Sequence, residues 1–345
     1  MQKPMIKNAA MFKVGLTKDF LTPDGRLTYD DIGLEILDSA DGITFDFLKE
    51  YRSPVTAAML LGYDAIISLA PAYNRDSFTG VCGLKAICRF GVGYDMVDLQ
   101  ACTDSNIAVT ITRGAVNYSV AEAIITWMLA LSHRLLEKNR LVREGGWAQR
   151  SNYMGSELRG RRLGIVGMGG IGGKLAEMVR PFQMAAPIAF DPYADESRAE
   201  SAGVKLVSLQ ELMSQSDFVS INCPLTEETR NLIGASELSL LRQNAFIINT
   251  ARGGIINELA LVDLLHRKAI AGYATDVFEE EPVRRDHPLF ALENVIVAPH
   301  SIAWTHEMFR EIGRKACQQV VQVAQGKIPV DVVNTEVLQQ WRPYK

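Results

Sequence analysis

The sequence predicts an α/β protein whose strands form doubly wound parallel sheets, and three observations support this fold class. First, six short apolar runs rich in β-branched residues alternate with helical or loop segments in the second half of the chain. These runs comprise residues 162–166, 187–190, 218–222, 245–249, 271–275 and 294–298. Second, a glycine-rich turn follows the first run, and third, polar side chains follow the ends of nearly all six. Because parallel strands need crossover connections, strand–helix alternation favours a parallel sheet.

The length and composition are those of a globular protein with about two domains. The chain has 345 residues, of which 22% are charged and 48% are hydrophobic. Its net charge of −4 provides no basic surplus for nucleic acid or an anionic membrane surface. No apolar run approaches the length of a membrane span, and no apolar segment of the signal-peptide type follows the first residues. Five scattered cysteines without paired metal spacing predict reduced thiols in a cytoplasmic protein and no metal site.

Residues 1–112 also alternate between strand-like and helix-like segments, which favours a further α/β sheet in this region. The predicted strands are 11–16, 64–69, 85–90 and 107–110, and the predicted helices are 30–40 and 53–61. Gly91 and Gly93 follow the third of these strands, where exposed backbone N–H groups can form a nest for a carboxylate. An ordinary strand–helix turn explains the same two glycines equally well.

Two further segments show helical spacing. Residues 118–138 are predicted to form one long amphipathic helix that opens a new unit, and 303–325 are predicted to form the last helix. Between the first of these and the six runs lies a polar, irregular arm at 142–158. This arm either wraps a partner subunit or forms a surface loop.

The glycine-rich turn has the spacing of a dinucleotide-binding loop. Gly167, Gly169 and Gly172 follow the run 162–166 and precede a helical pattern. Such glycines allow a tight turn, a close approach of the backbone to a pyrophosphate and close helix–strand packing. Asp191 ends the next run, 24 residues after Gly167 (191 − 167), where a carboxylate can accept hydrogen bonds from both hydroxyls of an adenosine ribose. A glycine-rich turn without a cofactor is the alternative.

Polar residues follow the strand ends, where ligands of open parallel sheets bind. They comprise Gly167, Asp191, Asn222-Cys223-Pro224, 249–254, Asp276 and His300. His300 follows a buried-looking strand and is suited to proton transfer near neutral pH. The other four histidines (133, 266, 287 and 306) are expected at the surface.

Two charged side chains are candidates to act with His300. A carboxylate hydrogen-bonded to the imidazole of His300 would fix its tautomer. Glu281 is a candidate for this carboxylate, but Glu279 and Glu280 are candidates as well. Alternatively, all three belong to a solvated acidic run without such a role. Arg252 can bind a substrate carboxylate with two hydrogen bonds and polarise a neighbouring carbonyl. Alternatively, Arg252 binds helix-end carbonyls in a structural role.

Together, these residues resemble the D-isomer-specific 2-hydroxyacid dehydrogenases, the family of phosphoglycerate dehydrogenase and hydroxypyruvate reductase, over about residues 85–305. The motifs are 155–160 leading into 167–172, then 223–226, 249–253, 276–278, Glu281-Pro282 and Pro299-His300. The resemblance implies two Rossmann-like or flavodoxin-like domains with the active site in the cleft between them. It assigns 1–112 plus 303–345 to a discontinuous substrate-binding domain and 113–302 to an inserted NAD-binding domain, through which relatives typically form homodimers.

The resemblance also implies roles for individual residues. His300 looks like the general acid/base, Glu281 like its partner because it precedes Pro282, and Arg252 like the ligand of the substrate carboxylate. The backbone of Val92 and Gly93 looks like a second grip on that carboxylate. Asp276 resembles the residue that fixes the nicotinamide carboxamide. The residues expected at the cofactor are Gly167, Gly169, Gly170, Ile171, Gly172, Asp191, Cys223, Pro224, Thr250, Ala251, Arg252, Asp276 and His300.

The activity implied is NAD-dependent interconversion of a D-2-hydroxy acid and its 2-oxo acid by hydride transfer. Hydroxypyruvate, glyoxylate and 3-phosphoglycerate-like acids are the candidate substrates. One alternative is an NAD(H)-sensing binding protein, as in the transcriptional corepressors that resemble this family. Another is phosphite or formate oxidation on the same scaffold; formate enzymes carry glutamine where Glu281 stands, which counts against formate.

The sequence departs from the family pattern in three places, one of which is a pair of residues. Arg113 and Gly114 stand where relatives often have Pro-Gly or Pro-Phe, Asn222 replaces a common histidine, and Gly170 replaces a common arginine. Losing that arginine removes one pyrophosphate contact but leaves the backbone site. Asp191 would repel a 2′-phosphate, so NAD is expected rather than NADP.

Overall fold

Short runs of buried apolar residues form the strands of two sheets, and the computed structural model describes residues 11–341. The strands are β1 (Phe12–Leu16), β2 (Ile43–Phe47), β3 (Ala65–Ser68), β4 (Ala86–Arg89), β5 (Ala108–Thr110), β6 (Arg162–Val166), β7 (Ala185–Phe190), β8 (Lys205–Leu206), β9 (Phe218–Ile221), β10 (Phe246–Asn249), β11 (Gly272–Thr275) and β12 (Val295–Val297). The α-helices are α1 (Glu35–Asp38), α2 (Ala57–Leu60), α3 (Leu99–Asp104), α4 (Asn117–Ser132), α5 (Leu135–Arg143), α6 (Gly170–Met178), α7 (Glu196–Ser201), α8 (Leu209–Gln215), α9 (Ala235–Leu238), α10 (Glu258–His266) and α11 (His306–Ala324).

The described residues divide into two compact units. The first comprises the residues up to Val116 together with those from Thr305 onward, and the second comprises Asn117–Trp304. The sequence placed these two boundaries after residues 112 and 302. The binding of substrate by the first unit stays a prediction.

The first unit contains a five-stranded parallel sheet in the order β2-β1-β3-β4-β5. Its central strands are buried, as the complete burial of Ile66 and Ile87 shows. Helix α11 packs on β3 and β4 and passes very close to the chain before α1. A Cβ atom on Gly313 would lie 2.0 Å from the carbonyl oxygen of Ile32, so only glycine permits this approach.

The second unit contains a seven-stranded parallel sheet in the order β12-β11-β10-β9-β6-β7-β8. Apolar clusters cover both of its faces, one including Ile124 and Met128 of α4 and the other including Leu212 of α8 and Leu261 of α10. Burial on both faces explains why these strands are continuous apolar runs rather than alternating ones. The carboxyl ends of all seven strands lie along one edge, because every neighbouring pair is parallel.

Several sequence predictions in the first unit are wrong in detail. The helices predicted at 30–40 and 53–61 are single turns, α1 and α2. Gly33, with φ +75°, interrupts the first of these segments, and Pro54, which has no N–H to donate, lies in the second. Strand β2 was missed, because alternate residues such as Thr44 and Asp46 are exposed at the edge of the sheet and hide its apolar side.

In the second unit, the helix predicted at 118–138 is divided. Helix α4 ends at Ser132, Arg134 adopts a left-handed φ of +53°, and α5 begins at Leu135 and extends into the predicted arm. The rest of the arm is not irregular throughout, since Trp147–Tyr153 forms a 3₁₀ helix. The two-residue edge strand β8 was also missed.

The predicted fold class is confirmed, since both sheets are parallel and alternate with helices. Within residues 11–341, no helix is long and apolar enough to cross a membrane. The same part of the chain contains no cluster of three His, Cys, Asp or Glu side chains arranged to hold a metal ion.

Candidate active site

The turn between β6 and α6 depends on two glycines. Gly167 has a φ of +94°, and a Cβ atom there would lie 2.7 Å from the backbone nitrogen of Cys223. A Cβ atom on Gly172 would lie 2.3 Å from the carbonyl oxygen of Gly167. The turn therefore packs against the end of β9 on one side and against the first turn of α6 on the other. Any larger residue at either position would push the backbone out of this arrangement.

The third glycine of the motif leaves space for a ligand. Gly169 is the N-cap of α6, and a Cβ atom built there meets no other atom within 4 Å. No side chain caps this helix start, so its first N–H groups are not satisfied by a capping side chain. Together with the helix dipole, they form a site suited to phosphate. At Gly170, a Cβ atom would displace the side-chain amide of Asn117, only 2.5 Å away.

Asp191 is anchored to this turn. Its Oδ2 accepts a hydrogen bond of 2.8 Å from the Met168 N–H, and its Oδ1 accepts one of 2.9 Å from the Tyr193 N–H. Each carboxylate oxygen keeps a second lone pair, which is the acceptor that a ribose hydroxyl requires. The fixed negative charge beside the glycine turn disfavours a phosphate on that ribose.

The loop after β9 lies against the turn. The Asn222 N–H donates to the carbonyl of Val166 at 2.7 Å, and the Asn222 side-chain amide donates back to Ser220. Burial raises the pKa of the Cys223 thiol to about 11, so this thiol is neutral at physiological pH. The carbonyl of Pro224 accepts a hydrogen bond from the Thr229 hydroxyl at 2.6 Å.

Buried Asn249 shapes the loop after β10, which carries Thr250, Ala251 and Arg252. Its Oδ1 accepts from the Ala251 N–H at 3.0 Å, and its Nδ2 donates to the Arg252 carbonyl at 2.8 Å. The Arg252 guanidinium donates to the Ala251 carbonyl at 2.7 Å. A Cβ atom on Gly253 would lie 2.0 Å from the carbonyl carbon and oxygen of Phe278, so the loops after β10 and β11 touch backbone to backbone.

Asp276 directly follows β11 and is 5% exposed. Its Oδ2 accepts from the Ile302 N–H at 3.2 Å, whereas its Oδ1 is buried without a hydrogen-bond partner among the described residues. Burial raises the pKa of this carboxyl, and the nearby Glu281 charge also raises it, against lowering by His300 and by backbone N–H groups. An unpaired buried acceptor of this kind can receive a hydrogen bond from a donor outside the chain.

Glu281 and His300 form a hydrogen-bonded pair. His300 Nδ1 lies 2.7 Å from Glu281 Oε2, and Glu281 Oε1 accepts from the Phe278 N–H at 3.0 Å. Burial raises the pKa of the Glu281 carboxyl, but the hydrogen bonds from His300 and Phe278 and the charge of Arg252 outweigh it, so its pKa lies below the ordinary value. Both side chains keep access to solvent, with 46% of the His300 side chain and 37% of the Glu281 side chain exposed.

The backbone also brings His300 to Asp276. The His300 N–H donates to the Asp276 carbonyl at 2.9 Å, and His300 adopts a left-handed φ of +50°. For a residue other than glycine this conformation costs about 1–2 kcal/mol, and it occurs preferentially at functional sites. The strand before it is not buried as expected, because Val297 at the end of β12 is 40% exposed.

Comparison with known proteins identifies the family. Residues 125–301 match the family model described as D-isomer specific 2-hydroxyacid dehydrogenase, NAD binding domain. A glyoxylate reductase of Korarchaeum cryptofilum is 36% identical, over 80% of this chain and 84% of that protein. The chain belongs to the D-isomer specific 2-hydroxyacid dehydrogenase family.

Two further relatives agree with this assignment. A D-3-phosphoglycerate dehydrogenase of Methanocaldococcus jannaschii is 39% identical over 79% of this chain, which spans only 52% of that protein. The crystal structure of a glyoxylate reductase from Paecilomyes thermophila superposes with a TM-score of 0.79 at 27% identity, covering 93% of this chain and 98% of the other. The sequence prediction of this family, of an NAD-dependent oxidoreductase and of NAD as cofactor is confirmed.

The residues of this 2-hydroxyacid dehydrogenase fit NAD on two structural grounds. Gly169 leaves a bare helix start for the pyrophosphate, and Asp276 Oδ1 is a buried acceptor that lacks a donor such as a carboxamide NH₂. The residues predicted at the cofactor follow β6, β7, β9, β10, β11 and β12, that is, one edge of the sheet. Their individual contacts with NAD stay predictions, as does the role of Val92 and Gly93, which lie in the first unit after β4.

Four histidines were predicted to lie at the surface, and the prediction is wrong for His287. Its side chain is only 13% exposed, and its Nε2 lies 2.8 Å from Glu258 Oε1, whereas His133, His266 and His306 are exposed. Sequence reasoning also missed the positioning roles of Asn249 and Phe278. Asn249 is a polar residue at the end of a buried strand, just before the predicted loop, and this position was a signal available in the sequence. The contacts of Phe278 join distant segments of the chain, so no local sequence pattern indicates them.

We predict that Asp276→Asn stabilises the protein at neutral pH and weakens NADH binding. Because burial raises the pKa of Asp276 in the folded state, its ionisation costs stability once the pH rises above the unfolded-state pKa, and the neutral amide removes that cost. The gain over wild type should be present at pH 7 and vanish below the ordinary aspartate pKa in urea unfolding. An amide NH₂ facing the carboxamide loses a charge-assisted hydrogen bond, so NADH should bind roughly 10- to 100-fold more weakly.

The exposed Asp41→Asn is the matched control for this experiment and should change neither quantity. Wild-type NADH affinity in Asp276→Asn, measured by fluorescence titration, would contradict the placement of the nicotinamide at this carboxylate.

Proposed function

We propose that this protein reversibly reduces a small 2-oxo acid to the D-2-hydroxy acid with NADH, using His300 as the general acid/base. The observation that carries the proposal is the hydrogen-bonded pair of His300 and Glu281, held at the same sheet edge as Arg252 and Asp276. When bound, NADH supplies the hydride that goes to C2 of the 2-oxo acid. The chain's own residues bind the acid, orient it and move the proton.

His300 donates the proton that the reduction requires. Its Nδ1 faces the Glu281 carboxylate, which leaves Nε2 as the ring nitrogen that reaches the substrate. In the reduction, Nε2 of the imidazolium donates its proton to the carbonyl oxygen of the 2-oxo acid, which becomes the hydroxyl oxygen. In the oxidation, the neutral Nε2 takes that proton back. Glu281, ionised at neutral pH because its pKa is lowered, fixes the orientation of the ring.

Arg252 binds the carboxylate of the substrate. Guanidinium and carboxylate groups match in planar geometry, so two parallel hydrogen bonds would orient the acid as well as hold it. We also propose a role for the backbone amides of Val92 and Gly93 in binding a substrate carboxylate. Positioning of this kind is worth several kcal/mol of the reaction barrier, because it replaces the entropy cost of random encounter.

The cofactor preference rests on Asp191. Its carboxylate is held beside the glycine turn by the Met168 and Tyr193 N–H groups and cannot swing away from a bound ribose without losing both hydrogen bonds. A 2′-phosphate would place negative charge against negative charge, so we propose NAD rather than NADP. Glyoxylate, hydroxypyruvate and 3-phosphoglycerate-like acids are the proposed substrates, since the relatives are glyoxylate reductases and phosphoglycerate dehydrogenases.

We further propose that the protein is a cytoplasmic homodimer assembled through its NAD-binding unit. The support is a group of large apolar side chains that are about half or more exposed on α5 and the segment after it. They are Leu135, Leu136, Val142, Trp147 and Met154. A second copy of the same surface would bury them without requiring a different partner.

A panel of 2-oxo acids tests the activity. With NADH, we expect the fall in absorbance at 340 nm for at least one of glyoxylate, hydroxypyruvate and phosphohydroxypyruvate, and slower turnover with NADPH at equal concentration. Phosphite with NAD is included as a separate reaction. Tight NADH binding without turnover of any 2-oxo acid would favour an NAD(H)-sensing protein, and faster turnover with NADPH would contradict the role given to Asp191.

Replacing the proposed acid/base separates chemistry from binding. His300→Ala should lower kcat by roughly 10²- to 10⁴-fold, because proton transfer is lost, while NADH binding changes little. The exposed His266→Ala is the control and should keep full turnover. Stopped-flow reduction at saturating substrate gives kcat, and fluorescence titration gives the affinity for NADH. Near-normal turnover of His300→Ala would rule out the assignment.

The dimer proposal predicts a change of mass. Wild type should elute at about twice the chain mass of 38.1 kDa in light-scattering chromatography. Leu136→Asp combined with Val142→Asp should elute as a monomer, because two buried charges would cost several kcal/mol at the interface. Leu61→Asp, at an exposed apolar residue of the first unit, is the control and should leave the mass unchanged. A dimeric double variant would show that this surface is not the interface.

A further inference from the structure

An aromatic contact fixes the position of the loop after β11. Phe278 is 7% exposed, and its ring meets the His287 ring edge-to-face, with centroids 5.4 Å apart and planes at 73°. The Phe290 ring packs on Phe278 in the same manner at 6.1 Å and 81°. Edge-to-face contacts prefer this geometry and resist rotation of the rings. His287 therefore fixes the position of a residue inside the loop that carries Asp276 and Glu281.

His287 is itself fixed by hydrogen bonds at both ring nitrogens. Its Nδ1 accepts from the Leu289 N–H at 3.4 Å, which assigns the ring proton to Nε2. Nε2 then donates to Glu258 Oε1 at 2.8 Å, and only 23% of the Glu258 side chain is exposed. Glu258 is the first residue of α10, where the helix dipole favours a carboxylate. The chain of contacts thus starts on a helix rather than on a mobile loop.

The backbone of Phe278 connects these ring contacts to the proposed catalytic residues. Its N–H donates to Glu281 Oε1, whose other oxygen contacts His300. Its carbonyl group lies against Gly253, so close that a Cβ atom on Gly253 would be 2.0 Å from it. Gly253 directly follows Arg252. A shift of Phe278 would therefore displace both Glu281, the partner of His300, and Gly253, the neighbour of Arg252.

We propose that Glu258, His287 and Phe278 form a positioning clamp for the active site, in which Glu258 orients His287 and His287 holds Phe278. In this proposal the clamp residues act through Glu281 and the Arg252–Gly253 backbone. This inference rests on the proposed function, because the clamp is defined by the reaction whose residues it aligns.

The test uses three variants of the intact protein. His287→Phe keeps an aromatic ring against Phe278 but loses both hydrogen bonds; Glu258→Ala removes the anchor; and Glu258→Gln keeps an acceptor for Nε2 without the charge. His266→Gln, at the exposed last residue of α10, is the matched control. The quantities measured are kcat per NADH-binding site, the NADH dissociation constant, the pH profile of kcat and the isotope effect with 4-deuterated NADH.

If the clamp positions the site, His287→Phe and Glu258→Ala should lower kcat roughly 10- to 100-fold, since displacements of about 1 Å cost this much. NADH affinity should fall by less than kcat does, because the glycine turn and Asp191 are not displaced. The isotope effect should rise and the pH profile should change shape, and Glu258→Gln should recover most of the turnover. A merely structural role would lower the folded fraction but leave kcat per binding site, the isotope effect and the pH profile unchanged.

The outcomes separate the two proposals. Active wild type with clamp variants indistinguishable from His266→Gln would overturn the clamp and leave the proposed function intact. Wild type that turns over no 2-oxo acid would overturn the proposed function and the clamp with it. Should Glu258→Ala fail to fold, His287→Phe still decides the question, because it nearly keeps the size of the side chain it replaces.

Discussion

The parallel register of the seven-stranded sheet is the constraint on which the active site depends. Each neighbouring pair of strands runs in the same direction, so every polar residue that follows a strand emerges at the same edge. Asp191, Arg252, Asp276 and His300 are separated by up to 109 positions in sequence (300 − 191), yet each lies one to three residues beyond a strand end. Burial of both sheet faces leaves the loops at this edge as the place where charged groups can collect without desolvation of the core.

Contacts between backbones bring these loops together. Gly167 lies against the loop after β9, Gly172 against Gly167, and Gly253 against Phe278, each so closely that a Cβ atom would overlap. Because side chains do not intervene, the relative position of neighbouring loops is set by direct packing of backbone on backbone and not by side-chain rotamers. This matters for catalysis, since side chains such as Arg252 and Glu281 keep their geometry only if the loops beneath them are fixed.

The sequence predicted those parts of the structure whose signal is local. The six runs from 162 onward were found because strands buried on both faces are unbroken apolar stretches, and the strand-end rule then located the polar edge. The edge strands β2 and β8 were missed, because an exposed edge alternates or is too short to show a pattern. Helices were overextended where a single residue, Gly33 or Arg134, takes a left-handed conformation. His287 makes a hydrogen bond to Glu258, 29 positions away in the chain, and no local pattern records that contact.

Asp276 and Glu281 show how one loop gives two carboxylates opposite properties. Burial raises the pKa of both, but Glu281 receives hydrogen bonds at both oxygens and faces Arg252, whereas Asp276 has one oxygen without a partner. The pKa of Glu281 therefore lies below the ordinary value and that of Asp276 above it. The charge of Glu281 is thus satisfied by groups of the protein alone. The oxygen of Asp276 without a partner in the protein is an acceptor that a bound ligand can use.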